Sequence, residues 1–587
     1  MDLSPALDDI ARDLAARTQH TSATLAAALR RPVGIDDVVR WIRFDPARYV
    51  RSLVARGEGW ELRLLCFRPG QSTAVHAHGS AACAFRILRG SATETILGSR
   101  DRVRAPGDVV EETGPDLVHQ VANAGSDPLL SLHAYSPPLP VDAPAPIGGR
   151  NVVVVGGGLS GVAAAIHLLR RGDADLRVTL VERGPWIGRG VAYGVDSEVF
   201  RLNVPASRMS LDPERPGDFV AWAGAEADPA AFLSRARYGA YVVARLAEAV
   251  RSSRAKLRVV RGDAVEVDER SVRLASGASL PAEIVVLATG IAPRLAPSSL
   301  PDDPRILDAW DEVAMAALPH DGRILILGSG LTAVDVVTWL ATHGFRGRAT
   351  ILSRRGLLPR PHLSPPGAGA PISDDEAAAA PRDLRGLLSW GRAIVRDRVR
   401  RGEPWQRGID ALRPHVARLY RGLPPEDRAR FARSVRPYWD VLRHRAPADA
   451  LAVVDAWRAE GRVEVLAGRV ASCDPSPDGL RIGLDLAAAP ARTERYDCVV
   501  RCIGPALERS EAEAPVLRAL VTSGLATADP SGLGLVTDGI GRVIDASGAP
   551  SERIFALGAP RRASAWETTS VPDISVHALA LARHVVP

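Results

Sequence analysis

Apolar positions follow two regimes along the chain. Through the first forty residues they recur at helical spacing, as at Leu7, Ile10, Leu14, Leu25 and Leu29, and Asp36-Asp37 opens a further short helix. From Glu61 the pattern changes to short alternating runs cut by Gly and Pro: ELRLLCF, CAFRILRG, SATETILG, DRVRAPGDVVEE, HQVANAG and LLSLHAYS. That spacing predicts a small all-β barrel or double sheet. A Pro-rich run, PPLPVDAPAPIGG, ends the segment as a semi-rigid linker.

Beyond the linker the periodicity becomes that of a β-α-β unit. Val152 to Val155 reads as a fully buried strand, Val162 to Leu169 as a helix, and Val178 to Val181 as a second strand ending on Glu182. Gly156, Gly158 and Gly161 stand between the first strand and the helix at G-x-G-x-x-G spacing. The first glycine permits the tight turn, the second lets a pyrophosphate approach the backbone, and the third lets helix and strand pack closely. Phosphates sit at the helix N-terminus, and the carboxylate of Glu182 is suited to ribose hydroxyls. This stretch is read as a dinucleotide site.

A second fingerprint follows. The strand IVVLATG ends at Gly290, where small residues allow the backbone close to a cofactor. In RILILGSGLTAVDVVTWL, Gly328, Gly330 and Ala333 give G-x-G-x-x-A after an apolar strand. The next strand ends in Ser353, Arg354 and Arg355 rather than in an acid. An arginine at the ribose position suits a 2′-phosphate. One acidic and one basic terminus predict FAD at the first fold and NADPH at the second. Near the C-terminus a strand runs into Leu557-Gly558 and then a helix. Residues 380 to 445 read as an arginine-rich helical insertion, either a lid that turns Arg443, His444 and Arg445 toward a flavin or a subdomain with a solvated basic face.

Composition narrows the class. At 587 residues the chain is long enough for roughly three or four domains. Its 46% hydrophobic and 24% charged residues are those of a globular protein. No apolar run reaches the ~18 residues of a membrane span, and the acidic N-terminus shows no secretory signal, so a cytoplasmic location without membrane contact is expected. The net charge of +6 is carried by arginine, with Lys256 the single lysine. A solvated arginine-rich surface is expected, without nucleic-acid binding. Five cysteines make no disulfide framework, and Cys498 and Cys502 on one strand are too far apart to form a redox pair.

Candidate metal chemistry lies in the amino-terminal segment. His76 and His78, two apart on a strand, point both imidazoles to one face. His119, at the start of a later strand, would complete a three-histidine site. Three neutral imidazoles leave positions open for water, substrate or dioxygen, and the set suits zinc as well as iron.

Residues 36 to 142 resemble the cysteine dioxygenase family of cupin-fold thiol dioxygenases. The resemblance is carried by LLCFRPGQSTAVHAHGSAACAFRILRGSATET, by the lone later His119, and by SLHAYSPP (Ser131 to Pro138). It implies that His76, His78 and His119 bind Fe(II). It implies that Cys83 and Tyr135 are the pair that forms a thioether cross-link beside the metal, with Ser131 and His133 aligning the tyrosine. Arg51 falls where the family places the arginine that grips the substrate carboxylate. Ala77 departs from the family's common His-Asp-His, but alternation turns it away from the metal. Residues 150 to 587 resemble FAD/NAD(P)-binding proteins related to flavin monooxygenases, through GRGVAYG, LNVPASRMS, SRRGLLPR, RPYWDVLRHR and WETTSVPDI. That resemblance implies that the segment around Gly558 packs near the flavin.

The expectation is therefore a multidomain chain, an all-β cupin barrel followed by an α/β flavoprotein with two dinucleotide-binding (Rossmann-like) folds. Its divisions are 1–140, a linker at 141–149, and 150–587, with the NADPH subdomain at about 320–360 and the helical insertion at about 380–445. The expected function is bifunctional: iron-dependent dioxygenation of a small thiol, first L-cysteine, to its sulfinate, then an FAD- and NADPH-dependent step on the product. The partners are a small thiol and O2. In the alternative, the flavin module is the enzyme and the cupin senses thiol or metal; a third reading makes FAD structural. The sequence leaves the oligomeric state open.

Overall fold

The computed structural model describes residues 3–112, 114, 117–139, 149–290, 299–364, 369–504, 514–530 and 532–587; nearly all of the expected linker lies outside them. The chain forms two compact units. One comprises Met1–Gly190, Val242–Val286 and Ala582–Pro587, the other Val191–Tyr241 and Leu287–Leu581.

The first unit opens with helices α1 (Pro5–Ala15), α2 (Ser22–Leu29) and α3 (Ile35–Val38). Ser4 caps α1, its hydroxyl accepting from the Leu7 amide ahead of a proline at the first helical position. Nine strands follow: β1 (Val50–Gly57), β2 (Trp60–Phe67), β3 (His76–Ala77), β4 (Ala82–Arg89), β5 (Ala92–Ile96), β6 (Arg102–Arg104), β7 (Val109–Glu112), β8 (Val118–Ala122) and β9 (Leu129–Ser136). They make two sheets, ordered β1-β2-β9-β4-β7 and β3-β8-β5-β6, whose pairings are antiparallel.

The five-stranded sheet is covered on both faces. Leu7, Ile10 and Leu14 of α1 and Leu25 and Leu29 of α2 pack on Leu62, Leu64, Leu132 and Ala134. Each of these fully buried leucine and isoleucine side chains contributes about 1.5–3 kcal/mol. On the other face Leu65, Phe67, Phe85 and Ile87 meet Ala92 and Val121 of the second sheet. Burial on both sides is why β2, WELRLLCF, departs from strict alternation.

The same unit continues into β10 (Asn151–Val155), α4 (Leu159–Arg171), β11 (Arg177–Glu182) and β12 (Lys256–Arg261), then β13 (Ala264–Val267), β14 (Ser271–Leu274), β15 (Ser279–Pro281) and β16 (Ile284–Leu287). β10, β11 and β12 pair in parallel, with β16 beside β10. The amino-terminal domain is joined to β12 along a polar seam. The Val75 amide donates to the Leu257 carbonyl at 2.7 Å, and Arg261 forms a bidentate pair with Asp101 at 2.7 and 2.8 Å.

The second unit is built on a sheet of β17 (Ile306–Asp308), β18 (Arg323–Leu327), β19 (Arg348–Ser353), β20 (Val463–Ser476), β21 (Gly479–Leu486), β22 (Arg492–Tyr496) and β23 (Cys498–Arg501), ordered β17-β23-β18-β19-β20-β21-β22. Its first four pairings are parallel, and β20-β21-β22 is an antiparallel meander. Helices Leu331–Thr342 and Ala448–Ala459 pack on the parallel part through Val334, Val337, Leu451 and Val454. The arginine-rich insertion is helical, with helices at Leu384–Arg400, Trp405–Leu412, Val416–Arg421, Pro425–Arg430 and Arg436–Arg443. Among the described residues no helix is long and apolar enough to cross a membrane, and all five cysteines are free.

Candidate functional site

The two-residue strand β3 carries His76, and His78 follows it just before the turn at Gly79 and Ser80, with the two ring centroids 4.8 Å apart. β8 pairs with β3 so that His76 stands opposite His119. The donor atoms of these three histidines lie within 4.8 Å of one another, and His78 Nε2 is 3.2 Å from His119 Nε2. Ligand bonds of about 2.1 Å at right angles put neighbouring donors ~3.0 Å apart, so the spacing suits one metal ion.

Outer contacts fix the rings. His76 Nδ1 lies 2.9 Å from the Ala74 carbonyl, which holds its proton there and leaves Nε2 free to bind. Burial, then the charges of His119 and His78, lowers the His76 pKa to about 3, so this imidazole is neutral as a ligand must be. His119 Nδ1 meets Glu94 Oε1 at 3.1 Å, and Arg104 grips Glu94 at 2.6 Å. A carboxylate behind a histidine sets the tautomer and raises the ring's basicity as a ligand. Glu94 and Arg104 were not anticipated from sequence. Burial alone would lower the His119 pKa, but Glu94 and Glu112 outweigh it and hold it above the ordinary value.

β9 supplies the other side of the site. Cys83 and Tyr135 are direct cross-strand partners between β4 and β9. Ser131 Oγ lies 2.9 Å from His133 Nε2, and His133 Nδ1 lies 3.1 Å from the Tyr135 hydroxyl. Period-two geometry puts these three side chains on one face, and all three are buried. Burial pushes the Cys83 thiol and the Tyr135 hydroxyl well above their ordinary pKa values, so the hydroxyl keeps its proton. Arg51 lies on β1, and its charge acts on both His133 and Tyr135.

One further side chain enters. Glu112 ends β7 directly opposite Cys83. Its Oε2 is 2.7 Å from His78 Nε2 and its Oε1 is 3.3 Å from His119 Nε2. Burial would raise its pKa, but His78, His119 and His133 bring it down to about 2, leaving a carboxylate among the histidines. In VVEE the two glutamates look equivalent. Strand alternation exposes Glu111 and buries Glu112, and only the pairing of β7 with β4 reveals what Glu112 faces.

The first nucleotide fold keeps its cradle clear of side chains. Gly156 has φ +108°, and a Cβ on Gly161 would stand 1.8 Å from the Gly156 carbonyl oxygen. Gly158 caps α4 and approaches Gly190. Glu182 closes β11 and accepts from the Gly157 and Gly184 amides at 2.7 and 2.6 Å, which fixes its carboxylate beside the loop. This chemistry fits a dinucleotide whose pyrophosphate needs bare backbone and whose ribose needs an acceptor.

In the second unit Gly328 has φ +109°, and a Cβ there would lie 2.1 Å from the Cys502 carbonyl oxygen. Gly330 caps helix Leu331–Thr342, and Ala333 is fully buried within it. Arg354 is exposed just past β19, whose last residue Ser353 bonds Ser329 at 2.7 Å. Gly290 and Gly558 both adopt positive φ, +73° and +69°. Arg443 and Arg445 are held by carboxylates: Arg443 pairs with Glu567 at 2.7 Å, and Arg445 with Asp410.

Residues 7–143 match the family model for cysteine dioxygenase type I, and residues 153–292 match an FAD-NAD(P)-binding family. Cysteine dioxygenase type 1 of Danio rerio is 32% identical over 116 residues, 17% of this chain and 58% of that protein. The Homo sapiens protein is 32% identical over 111 residues, 17% of this chain and 56% of that protein. The chain thus spans little more than half the length of these relatives. Among solved structures, an ornithine N-hydroxylase of Kutzneria sp. 744 with reduced FAD, NADP+ and L-ornithine has a TM-score of 0.51 at 14% identity, covering 74% of this chain and 98% of that one. A cadaverine monooxygenase of Erwinia amylovora bound to FAD has a TM-score of 0.50 at 15% identity, covering 75% and 95%. The chain thus joins an amino-terminal cysteine dioxygenase-like domain to an FAD/NAD(P)-binding domain that shares its fold with these two solved structures.

Proposed function

We propose that the amino-terminal domain is a cupin-fold, iron-dependent dioxygenase of a small carboxylated thiol, L-cysteine first, and that the flavin half acts on the resulting sulfinate or a derivative of it. The observation that carries this reading is the convergence of three histidine donors beside the Ser131–His133–Tyr135 chain. In the first step both atoms of O2 end on the thiolate sulfur, which gives up the electrons that reduce them. When bound by His76, His78 and His119, ferrous iron supplies an electron-rich centre at which thiolate and dioxygen meet.

The chain's own residues orient and protonate. Arg51 is suited to fork-like recognition of a carboxylate, and its charge is felt at Tyr135. Ser131 holds His133, and His133 holds the Tyr135 hydroxyl. That hydroxyl retains its proton and is suited to donating to oxygen as charge grows there. Cys83, across from Tyr135, is the partner for a thioether cross-link.

In the flavin half, Gly156, Gly158, Gly161 and Glu182 would hold FAD. Gly328, Gly330, Ala333 and Arg354 would hold NADPH, with the exposed guanidinium of Arg354 suited to the 2′-phosphate. Reduction by NADPH then serves either an oxygenation at sulfur or nitrogen or a simple redox step.

The test is oxygen uptake by iron-loaded protein with L-cysteine, with products read by mass spectrometry, with and without NADPH. A gain of two oxygen atoms without NADPH supports the dioxygenase, and a further mass change with NADPH identifies the flavin step. Iron-loaded protein that consumes no oxygen with cysteine or other small carboxylated thiols overturns the reading.

A further inference from the structure

We propose that Glu112 is a fourth protein ligand to the metal, so that the site is a three-histidine, one-carboxylate centre rather than a three-histidine one. The inference rests on the metal-site reading above and adds a ligand that the resemblance to cysteine dioxygenases does not imply.

Three observations carry it. The first is distance. Edges of about 3 Å are those of an octahedral face with bonds of ~2.1 Å. His78 Nε2 to His119 Nε2 is 3.2 Å, and the Glu112 carboxylate lies 2.7 Å from the first and 3.3 Å from the second. The carboxylate therefore stands where a neighbouring ligand would stand, on the His78–His119 side.

The second is satisfaction. Glu112 is 6% exposed, and its Oε2 has no hydrogen-bond partner among the described residues. Its Oε2 stands 2.7 Å from His78 Nε2, a nitrogen that carries no proton when the imidazole binds a metal through it. A buried carboxylate oxygen left unbonded is costly, and such groups are paired or coordinate metals. By contrast Glu94, on the outer side of His119, is bonded to His119 and to Arg104. The two glutamates flank one histidine but differ in kind: Glu94 supports the ring from behind, and Glu112 faces the side from which the ion is bound.

The third is position. β7 is an edge strand of its sheet, and its register puts Glu112 opposite Cys83. Backbone pairing on both sides of β4 thus aims Glu112 and Tyr135 at Cys83 and the histidines from flanking strands. The carboxylate is set by the sheet, not by a side chain that happened to swing inward.

A consequence for the substrate follows from counting. Four protein ligands leave two of six octahedral positions, one for a thiolate and one for dioxygen. A thiol held at the metal through sulfur alone then fits, with its carboxylate recognised away from the metal; a thiol that chelates through a second atom does not.

The experiment uses the full-length protein stripped of metal and reloaded with Fe(II) or Co(II). Glu112→Gln keeps shape and removes the charge; His76→Ala serves as the control for the site itself. The expected result is a fall of at least ~10–100-fold in Fe(II) affinity for Glu112→Gln, with one fewer oxygen or nitrogen neighbour by X-ray absorption or a changed Co(II) visible spectrum. Unchanged ligand number and spectrum in Glu112→Gln, with binding lost in His76→Ala, overturns the fourth ligand and keeps the three-histidine site. Fe(II) binding unaffected in both variants overturns the metal-site reading itself. Circular dichroism of both variants separates these outcomes from misfolding, and Glu112→Asp, which retains a carboxylate, is expected to recover part of the affinity if the fold is intact.

Discussion

The side chain of Gln120 pairs with the backbone of Val259 as a strand would, Nε2 donating to the carbonyl at 2.8 Å and Oε1 accepting from the amide at 2.9 Å. Gln120 follows the candidate ligand His119 in β8, and alternation sends the two side chains to opposite faces. One short strand thus carries both the candidate ligand His119 and the seam with β12.

That pair predicts the cost of breaking the seam. Gln120→Leu leaves a buried amide and carbonyl at Val259 without partners, each worth about 1–3 kcal/mol. Heat or urea unfolding followed at the amino-terminal domain is expected to begin earlier in the variant, with Fe(II) affinity preserved. A variant that unfolds with the wild type removes the seam as a source of stability.

Glu94 is expected to act on metal affinity through His119. Glu94→Gln keeps a hydrogen-bond acceptor but loses the negative charge held by Arg104. Fe(II) affinity measured by equilibrium dialysis is expected to fall about 10–100-fold. Ligand number by X-ray absorption stays unchanged, which separates this outer role from loss of a ligand.

Arg354 is expected to choose the nicotinamide cofactor. Arg354→Ala removes a charge-assisted contact to a 2′-phosphate, so KM for NADPH rises about tenfold or more while KM for NADH moves little. Stopped-flow bleaching of the flavin by each cofactor reads this directly. Equal effects on both would place the phosphate elsewhere.

Asp335 gives the second unit a pH-dependent term. Burial, only partly offset by Arg235 at 3.4 Å, raises its pKa from 3.8 to about 6. The folded chain therefore holds this proton more tightly than the unfolded one. Its contribution is fully present below about pH 4 and is lost as pH rises to about 6, an effect on the order of 2–3 kcal/mol. In Asp335→Asn the decline of the urea midpoint across that window flattens. A variant with the wild-type slope would show that another group titrates there.

Much of the fold and the site is legible in the sequence alone, and what is legible shares a cause. His76, His78, the two glycine fingerprints and Glu182 are fixed by local spacing, which a sequence displays directly. Ser131, His133 and Tyr135 alternate along one strand, so their common face also follows from the sequence. Glu112 and Glu94 are not legible because their roles depend on register between strands distant in the chain. VVEE does not say which of its two carboxylates turns inward, and neither it nor SATET says toward which histidine. The partners of Arg443 and Arg445 are hidden for the same reason: Glu567 and Asp410 lie 124 and 35 residues away. The seam at β12 leaves no signal either, since Gln120 in an alternating strand looks like any solvent-facing polar residue.

β12 ends the parallel run of the first nucleotide sheet, and the backbone groups of Leu257 and Val259 that point outward are taken up by Val75 and Gln120. A flavin half produced by itself would present that row bare, as a template on which a second molecule could add a strand. Truncation from the amino end is therefore expected to yield oligomers and precipitate before any activity of the flavin half can be measured. Point substitutions in the intact chain are the cleaner route to separating the two chemistries.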